Sequence, residues 1–438
     1  MKRQYFGTDG VRGPFGGTLV NPEFATRLAY AAGKWTGGGR VFIGRDTRGS
    51  GPTLLVALAN GLLAAGCEIY DLGAVPTPAV ARELKISDAS LGVVITASHN
   101  PAGDNGIKFF APGGIKLSDE QELEIEANLP ESVSETLASF RFHRGARSGY
   151  IFAMCEIMPA NSLAGWKIVV DTANGATSYT TPNVLEILGA EVDKIGNKPD
   201  GTNINADVGS EHPAQLAARV VGVGARLGVA HDGDGDRCIL SDELGQVLDG
   251  DEVLTILALD AISRGALAGN TLVVTRQSNL GVDVAVKAAG GQVVRTDIGD
   301  RYVAEKMREI GSSLGGESSG HIICDEVGPT GDGLGAALRI LDVMYRTGKN
   351  LSELRSVLVK APQKSSAIQV KHKTALDACP QLQEAMAAVT AEFGEAGRML
   401  IRYSGTEPKL RILVEGPTIE AVEAVYARLE TAAKADLT

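Results

Sequence analysis

Three aspartates on alternate residues form the most distinctive chemical pattern in the chain. Asp232, Asp234 and Asp236 follow the apolar run 227–230 and are separated by glycines. Carboxylates spaced in this way can point to one side of an extended loop, and an all-oxygen set suits a hard cation such as magnesium or calcium. Magnesium fits a phosphate site better, because it binds few carboxylates and keeps positions for phosphate oxygens. Three carboxylates this close repel one another, so the pattern requires a cation or an arginine nearby.

Two other kinds of site use a similar spacing. A calcium-binding EF-hand loop starting at Asp232 would place its bidentate glutamate at Glu243, which is present, but Arg237 stands where that loop needs glycine. The flanking residues 227–230 and 238–240 indicate strands, whereas an EF-hand needs helices on both sides. A haloacid-type phosphatase with an aspartate nucleophile also fits a strand followed by Asp-x-Asp, but it would leave Ser98 without a role. A solvated acidic loop is the remaining alternative.

A serine at the end of another apolar run is the candidate phosphate carrier. Ser98 lies in the segment TASHNP (96–101), after residues 91–95. In open α/β sheets the ligand crevice lies beyond the carboxyl ends of the strands, so Ser98 occupies a position where a reacting group is expected. A serine hydroxyl is a weak nucleophile, but it can carry phosphate stably when a metal neutralises the charge. An ordinary turn serine is the alternative, and the adjacent His99 does not make a catalytic triad, whose members come from separate segments.

Two later glycine-rich segments have the residue types that bind sugars and phosphates. GGESSGH (315–321) contains Glu317 and Ser319, which could hydrogen-bond neighbouring sugar hydroxyls, although a helix N-cap explains the segment equally well. RYSGTEP (402–408) and the following Arg411 offer two arginines, two hydroxyls and a glycine turn, which suits a phosphate-binding loop, with a plain β-turn as the alternative. Further cations lie in YFGTDGVRG (5–13), GRDTR (44–48) and NGIK (105–108).

Composition excludes several classes of function. The formal net charge of the 438 residues is −11, which argues against a nucleic-acid partner, although a local arginine cluster can still hold a small phosphorylated ligand. The five cysteines are far apart and form no CxxC pair, so a disulfide framework or zinc site is not expected and a reducing compartment is. No apolar run approaches the roughly 18 residues of a membrane span. We therefore expect a cytoplasmic protein without membrane or nucleic-acid partners.

Apolar strand-like runs alternate with helical patterns along most of the chain, as at 40–43, 91–96, 167–170, 227–230 and 271–275. This alternation predicts βαβ units with largely parallel sheets. A weak repeat of a helix end, a glycine turn and a strand recurs at 62–69, 185–192 and 286–293, which favours three related α/β domains. From residue 365 the pattern changes to that of a small α+β domain. The predicted domains are 1–150, 151–252, 253–364 and 365–438.

Taken in order, these segments resemble the α-D-phosphohexomutase family over the whole chain. The resemblance rests on YFGTDGVRG, TASHNP with DNGIKFF (104–110), DGDGDR (232–237), GGE-x-SGHI and R-x-SGTEP, with TGDG (330–333) after the sugar segment. It implies a heart-shaped α/β protein of four domains around a cleft: three related mixed α/β domains and a small α+β C-terminal domain. It also implies an enzyme that moves phosphate between two hydroxyls of a sugar through a bisphosphate intermediate.

The resemblance assigns roles residue by residue. Ser98 would be the phosphoserine, and one Mg²⁺ would bind Asp232, Asp234, Asp236 and a phosphoserine oxygen. Arg12, His99 and Lys108 would act near the reacting phosphate, with Lys108 as a candidate general acid/base. The substrate-binding residues would be Arg237, Glu317, Ser319, His321, Arg402, Ser404, Gly405, Thr406 and Arg411.

The expected substrate is glucosamine 6-phosphate, converted to glucosamine 1-phosphate for UDP-N-acetylglucosamine and cell-wall precursor synthesis, with a sugar bisphosphate as activator. SGTEP and YFGTDG favour this substrate within the family. Ser318 departs from the glutamine usual between Glu317 and Ser319, so glucose and mannose phosphates remain alternatives. A magnesium-dependent sugar phosphatase and a silent sugar-phosphate binder are the alternatives from other classes, and a homodimer is one option for the assembly.

Overall fold

The computed structural model describes residues 3–7, 9–134, 138–404 and 408–438. Within these ranges, four β-sheets follow one another along the chain. Helices alternate with strands in the first three sheets because parallel strands need long crossover connections, which are usually helical. The predicted α/β architecture with a smaller α+β unit at the C-terminal end is confirmed. We refer to the four sheets and their helices as the first to fourth units.

The first unit places the Ser98 loop. Its elements are β1 (Val11–Pro14), α1 (Pro22–Trp35), β2 (Gly39–Arg45), α2 (Gly51–Ala64), β3 (Cys67–Ala74), α3 (Thr77–Lys85), β4 (Leu91–Ile95), β5 (Asp104–Ala111), β6 (Ile115–Lys116), α4 (Asp119–Ala127), β7 (Arg141–Phe142) and α5 (Gly145–Cys155). The strand order is β1-β5-β4-β2-β3-β7, with β6 paired to β5. Strand β4 is parallel to β2 and antiparallel to β5, so the loop after Ile95 leaves the middle of the sheet at its carboxyl edge.

The second unit places the aspartate loop. Its elements are β8 (Lys167–Asp171), α6 (Thr181–Ile187), β9 (Glu191–Ile195), α7 (Ala214–Val223), β10 (Leu227–His231), β11 (Cys238–Asp242) and β12 (Val247–Leu248). The strand order is β12-β11-β10-β8-β9, with β8, β9 and β10 parallel. All five residues of β10 are buried, as expected for a strand covered on both faces.

The third unit places the sugar segment between two short strands. Its elements are α8 (Gly250–Ser263), β13 (Thr271–Thr275), α9 (Leu280–Ala288), β14 (Gln292–Thr296), α10 (Asp300–Ile310), β15 (Leu314–Gly316), β16 (Ile322–Cys324), α11 (Gly333–Thr347) and α12 (Leu351–Arg355). The strand order is β14-β13-β15-β16. Because β15 and β16 are antiparallel neighbours, residues 317–321 form the connection between them at the edge of the sheet.

The fourth unit is a three-stranded antiparallel sheet with helices against it. Its elements are β17 (Gln363–Gln369), α13 (Pro380–Phe393), β18 (Arg398–Tyr403), β19 (Lys409–Glu415) and α14 (Ile419–Leu437). The strand order is β17-β19-β18. Neither α14, with 19 residues, nor any other described helix is long and apolar enough to cross a membrane.

One hydrophobic cluster joins the first three units. It includes Tyr150 of α5, Val184 of α6, Leu254 of α8 and Leu338 of α11. The fourth unit has a hydrophobic cluster of its own, built from α13, α14 and its sheet. Apolar burial is the main favourable contribution to packing, so the first three units form one continuous body to which the fourth is attached.

Polar contacts tie the third unit to the fourth. Asn279 Nδ2 donates to Ala361 O at 3.1 Å and to Gln363 Oε1 at 2.9 Å. Asp251, in the first turn of α8, accepts the backbone N–H of Asn279 through Oδ2 at 2.8 Å. Burial, together with the charge of the neighbouring Asp249, raises the pKa of Asp251 to about 6. This junction therefore contains a carboxyl group that is protonated in mildly acidic solution.

The titration of Asp251 makes the free energy of unfolding fall as the pH rises from about 4 to 6. In this window the folded protein holds a proton that the unfolded chain, at the ordinary carboxyl pKa of 3.8, has lost. A shift of about two pKa units corresponds to about 3 kcal/mol of free energy of unfolding. This contribution is fully present below about pH 4 and is lost above about pH 6. Asp251→Asn removes this titration and keeps an acceptor for Asn279 N–H. We expect its free energy of unfolding, measured with urea from pH 4 to 8, to rise relative to wild type across the window.

The matched control is Asp88→Asn, which removes an exposed carboxylate paired with Arg40. Its stability relative to wild type should change little with pH, because an exposed ion pair contributes at most about 1 kcal/mol. Parallel pH profiles for Asp251→Asn and wild type would contradict the prediction.

Candidate active site

The loop after β4 holds Ser98 in an unusual backbone conformation. Its φ is 52°, in the left-handed region that residues other than glycine rarely adopt. Its hydroxyl Oγ donates to Asp232 Oδ2 at 2.6 Å, and Nδ1 of His99 lies 3.3 Å from the same Oγ. The first and second units therefore meet at the Ser98 hydroxyl.

The loop after β10 gathers three buried carboxylates. One oxygen each from Asp232, Asp234 and Asp236 lies within 4.8 Å of the others. Gly233 permits the close approach of the Ser98 loop, since a Cβ at this position would lie 2.6 Å from Ser98 O. The Oδ1 atoms of Asp234 and Asp236 are buried and have no hydrogen-bond partner among the described residues. Buried polar atoms are nearly always paired, so these two oxygens indicate a ligand site.

The carboxylate set fits a small divalent cation. Burial raises the pKa of Asp232 well above its usual value, and Asp236 and Asp234 raise it further. A cation bound among the three carboxylates would offset both effects. Oxygen ligands alone favour Mg²⁺ or Ca²⁺ over zinc or copper. The EF-hand alternative is excluded, because strands β10 and β11 flank the loop and Glu243 hydrogen-bonds Ser352 instead.

Lys108 on β5 reaches the triad from the first unit. Its Nζ donates to Asp234 Oδ2 at 2.8 Å and to Asp236 Oδ2 at 3.3 Å. Thr77 Oγ1 also donates to Asp234 Oδ2, at 2.6 Å. Burial lowers the pKa of Lys108, but Asp234, Asp9 and Asp236 outweigh burial and hold the pKa well above its usual value. Lys108 is therefore a charged ammonium group, which binds the Oδ2 atoms and leaves the Oδ1 atoms unpaired.

Five charged side chains and His321, drawn from three units, form a closed ring beside the triad, which we call the charge ring. Carboxylates alternate around it with Lys108, Lys116 and His321, and each member contacts two others. The pairs are Lys108–Asp9 (2.9 Å), Asp9–Lys116 (2.7 Å), Lys116–Asp300, Asp300–His321 (3.1 Å), His321–Asp236 (3.6 Å) and Asp236–Lys108 (3.3 Å). Burial lowers the pKa of His321, but Asp300 and Asp236 outweigh burial and raise it. Removing one partner of a buried ion pair leaves an uncompensated charge, so the ring fixes the relative positions of these three units.

Cationic and neutral donors border the Ser98 hydroxyl. Arg237 Nε lies 3.9 Å from Asp232 Oδ2. Burial, together with the charges of Arg237 and Arg12, lowers the pKa of His99 to about 4. His99 is therefore neutral at neutral pH. An anion arriving beside Ser98 would meet two guanidinium groups and an uncharged imidazole, a combination suited to phosphate.

The connection between β15 and β16 carries Glu317 and Ser319. Glu317 Oε1 accepts the backbone N–H of Gly299 at 3.0 Å. Burial raises the pKa of Glu317, and Asp300 adds to the effect. Ser319 Oγ is buried and has no hydrogen-bond partner among the described residues. A carboxyl group and an unpaired hydroxyl two residues apart are suited to bind sugar hydroxyls.

Two arginines face each other across β18 and β19 in the fourth unit. Arg402 and Arg411 are direct cross-strand partners. Burial lowers the pKa of Arg402, and Arg411 lowers it further, while Glu317 acts in the opposite direction. The two arginines line a cavity of about 220 Å³ that Gln277 and Ser365 also border. Two like charges directly opposite each other on neighbouring strands repel, and a bound anion would offset this repulsion. The arrangement is therefore suited to an anion.

The structure gathers most of the predicted site residues around one centre. Those near the Ser98 hydroxyl or the triad are Arg12, Ser98, His99, Lys108, Asp232, Asp234, Asp236, Arg237 and His321. Glu317 and Ser319 lie in the third unit, whereas Arg402, Ser404 and Arg411 lie in the fourth. Gly405 and Thr406 lie outside the described residues.

Sequence reasoning did not single out three members of the charge ring, namely Asp9, Lys116 and Asp300. Asp9 lies in the segment GTDGVRG (7–13), in which Arg12 is the predicted site residue. The contacts of Lys116 reach residues 107 and 184 positions away. No local pattern signals pairs at such separations.

Models of one protein family match successive parts of the chain. They describe the phosphoglucomutase/phosphomannomutase alpha/beta/alpha domains I, II and III, at residues 3–135, 148–245 and 249–361, and the C-terminal domain at residues 366–432. Together these matches extend over nearly the whole chain.

Curated proteins resemble the chain over its full length. A phosphoglucosamine mutase of Thioalkalivibrio sulfidiphilus is 47% identical, with 99% of this chain and 98% of the relative covered. A protein of the same name from Moorella thermoacetica is also 47% identical, over 98% of each chain. The solved structure of a phosphoglucomutase/phosphomannomutase family protein from Burkholderia thailandensis has a TM-score of 0.83 and 24% identity, and it covers 98% of this chain and 97% of its own. That structural match shows the fold.

Proposed function

Because the chain belongs to the phosphoglucomutase/phosphomannomutase family, we propose that it interconverts glucosamine 6-phosphate and glucosamine 1-phosphate through phosphorylated Ser98. The observation that carries the proposal is the 2.6 Å contact between Ser98 Oγ and Asp232 Oδ2 at a buried carboxylate triad. The names of the relatives at 47% identity support glucosamine phosphate as the substrate. Phosphate moves within one sugar, so the enzyme is an isomerase.

We assign one Mg²⁺ to Asp232, Asp234 and Asp236, with an oxygen of phosphorylated Ser98 completing the ligands. The unpaired Oδ1 atoms of Asp234 and Asp236 support this assignment. When bound, the ion supplies positive charge that offsets the charge developing on the transferring phosphoryl group.

Ser98 Oγ carries the phosphoryl group between the two sugar hydroxyls. In the first transfer, the bond between phosphorus and Ser98 Oγ breaks while the free sugar hydroxyl forms a new bond to phosphorus and gives up its proton. Lys108 is our candidate for this proton exchange, at Nζ: its ammonium group gives a proton to the leaving Ser98 Oγ and then takes up the proton of the sugar hydroxyl. Arg12 and Arg237 bind the phosphoryl oxygens, and His99 contacts Oγ.

The sugar then carries two phosphates and must turn over within the cleft. After reorientation its other phosphate returns to Ser98 Oγ, and the product leaves. Loss of the bisphosphate would leave a dephosphorylated enzyme, so a free sugar bisphosphate serves as the activator that restores phosphorylated Ser98. Exclusion of water during this step protects the bisphosphate from hydrolysis, which would also leave the enzyme dephosphorylated.

The third and fourth units hold the substrate during both transfers. Glu317 and Ser319 bind sugar hydroxyls, supported by the buried unpaired Oγ of Ser319. The phosphate that does not react binds the fourth unit, and the opposed arginines at its cavity support this position. The residues proposed for that phosphate are Arg402, Ser404, Gly405, Thr406 and Arg411.

Three broader expectations accompany this function. We infer a cytoplasmic location, which the five free cysteines support. We propose domains at 1–150, 151–252, 253–364 and 365–438. The homodimer stays a prediction.

The proposed substrate is tested by assaying glucosamine, glucose and mannose 6-phosphates side by side with a sugar bisphosphate activator. We expect glucosamine 6-phosphate to have the highest kcat/KM. Ser318, where the usual residue is glutamine, makes this comparison informative. A clear preference for another sugar would change the substrate and keep the mechanism, whereas free phosphate accumulating at the mutase rate would indicate a phosphatase.

A further inference from the structure

Two donors from different units hold the carbonyl oxygen of Ser98. Arg48 Nη2 donates to it at 3.0 Å from the first unit, and Asn205 Nδ2 donates at 2.9 Å from the second. The same two groups also donate to Asn100 O, at 2.8 Å and 2.9 Å. The backbone on both sides of His99 is therefore fixed by the same pair of side chains.

The guanidinium group of Arg48 is held in place by the buried carboxylate of Asp46. Its Nε lies 2.9 Å from Asp46 Oδ2, and both side chains are fully buried. Asp46 Oδ2 also accepts from Thr96 Oγ1 at 2.7 Å, and Thr96 Oγ1 accepts the N–H of Ser98 at 2.8 Å. The N–H and the carbonyl of Ser98 thus belong to one connected hydrogen-bond network. Such buried networks hold a single geometry when all their members are paired.

Asn205 lies where the serine loop and the aspartate loop come together. A Cβ at Gly233, between two of the triad aspartates, would lie 3.1 Å from Asn205 Nδ2 and 2.6 Å from Ser98 O. Asn205 has a φ of 59°, which asparagine tolerates better than most residues. Its amide therefore connects the backbone of the serine to the unit that supplies the carboxylates.

We propose that Asn205 and Arg48 are positioning residues that keep Ser98 in its left-handed conformation and thereby aim Oγ at the triad. This inference rests on the proposed function, in which Ser98 Oγ carries the phosphoryl group. Without the two donors, the strained serine would relax toward negative φ, and Oγ would move away from Asp232. Both donors act on the backbone of Ser98, so their loss should lower kcat and leave the KM for the sugar phosphate nearly unchanged.

The test replaces Asn205 by glycine, which removes both donated hydrogen bonds and adopts positive φ without strain. We expect kcat to fall about 10- to 100-fold in both directions, since a displacement of about 1 Å can cost this much. The rate at which glucose 1,6-bisphosphate phosphorylates Ser98, followed by intact-protein mass, should fall by the same factor. Thr202→Ala is the matched control, because Thr202 is exposed, lies three residues before Asn205, and donates its hydroxyl to Asp200 at 2.9 Å. Circular dichroism at the assay temperature confirms that each variant is folded.

A second variant, Asn205→Asp, keeps the size and the backbone preference but replaces the donating amide by an acceptor. It should lose at least as much kcat as Asn205→Gly. Wild-type kcat in Asn205→Gly, or a raised KM with unchanged kcat, would overturn the inference while the proposed function stands. An effect in Asn205→Asp alone would also overturn it, because the added charge would then be the cause. Absence of mutase activity in the wild type would instead overturn the proposed function.

Discussion

Ser98→Ala will abolish mutase turnover while the protein remains folded. Alanine has no hydroxyl to carry phosphate, so we expect kcat to fall by about four orders of magnitude or more. The variant also loses the hydrogen bond from Oγ to Asp232. Leaving that buried carboxylate without this donor should cost about 1–3 kcal/mol of stability. Turnover with a bisphosphate activator measures the loss of kcat, and thermal unfolding measures the loss of stability. The mass after incubation with the bisphosphate shows whether the variant still accepts phosphate.

The control for this variant is Ser87→Ala. Ser87 donates to Glu83 O just beyond α3, and its substitution should leave kcat unchanged. Mutase activity in Ser98→Ala near the wild-type level would rule out a phosphoserine at this position. Phosphorylation of the variant by the bisphosphate would lead to the same conclusion.

Substitution of Asp234 by asparagine will nearly eliminate both metal binding and catalysis. The carboxylate Oδ1 of Asp234 is buried and unpaired among the described residues, and its charge is part of the set that would bind Mg²⁺. Metal ions contribute several kcal/mol to such transfers, so we expect kcat to fall about 10³-fold or more. Chelation by EDTA should inactivate the wild type to a similar degree, and added Mg²⁺ should restore it.

Metal binding can be measured without catalysis. A ligand that binds the folded state raises the unfolding temperature, so Mg²⁺ should raise the Tm of the wild type and leave Asp234→Asn nearly unchanged. Glu243→Gln is the matched control, because this nearby carboxylate hydrogen-bonds Ser352 rather than joining the triad. An equal rise of Tm with Mg²⁺ in wild type and Asp234→Asn would show that the ion binds elsewhere.

The sequence predicts the elements and the chemical segments of this protein, because both depend on local patterns. The buried run before Asp232 and the run before Ser98 mark strands whose carboxyl ends carry functional loops, and β10 and β4 are those strands. The family resemblance then adds the substrate, which residue chemistry alone does not specify. The change to an α+β pattern at residue 365 corresponds to the antiparallel sheet of the fourth unit.

Interactions between distant segments could not be predicted in the same way. From the sequence, Arg48 is only one of several cations near the serine segment. In the structure its side chain is buried and donates hydrogen bonds to the backbone carbonyls of Ser98 and Asn100. Asn205 has no motif of its own, and its partner Ser98 is 107 residues away. The resemblance places Lys108 near the reacting phosphate as a candidate general acid/base, and only its distances to Asp234 and Asp236 show that it also contacts the triad. Such pairs form when separate units pack together, and the periodicity of apolar residues in the sequence does not indicate them.

The backbone at Ser98 restricts which amino acid can serve as the phosphate carrier. Threonine offers the same hydroxyl chemistry, but its β-branched side chain is a steric outlier at a φ of 52°. Exchange of serine for threonine would therefore force the loop into another conformation and withdraw the oxygen from its carboxylate partner. At this position the choice between the two alcohols is made by chain geometry, not by nucleophilicity.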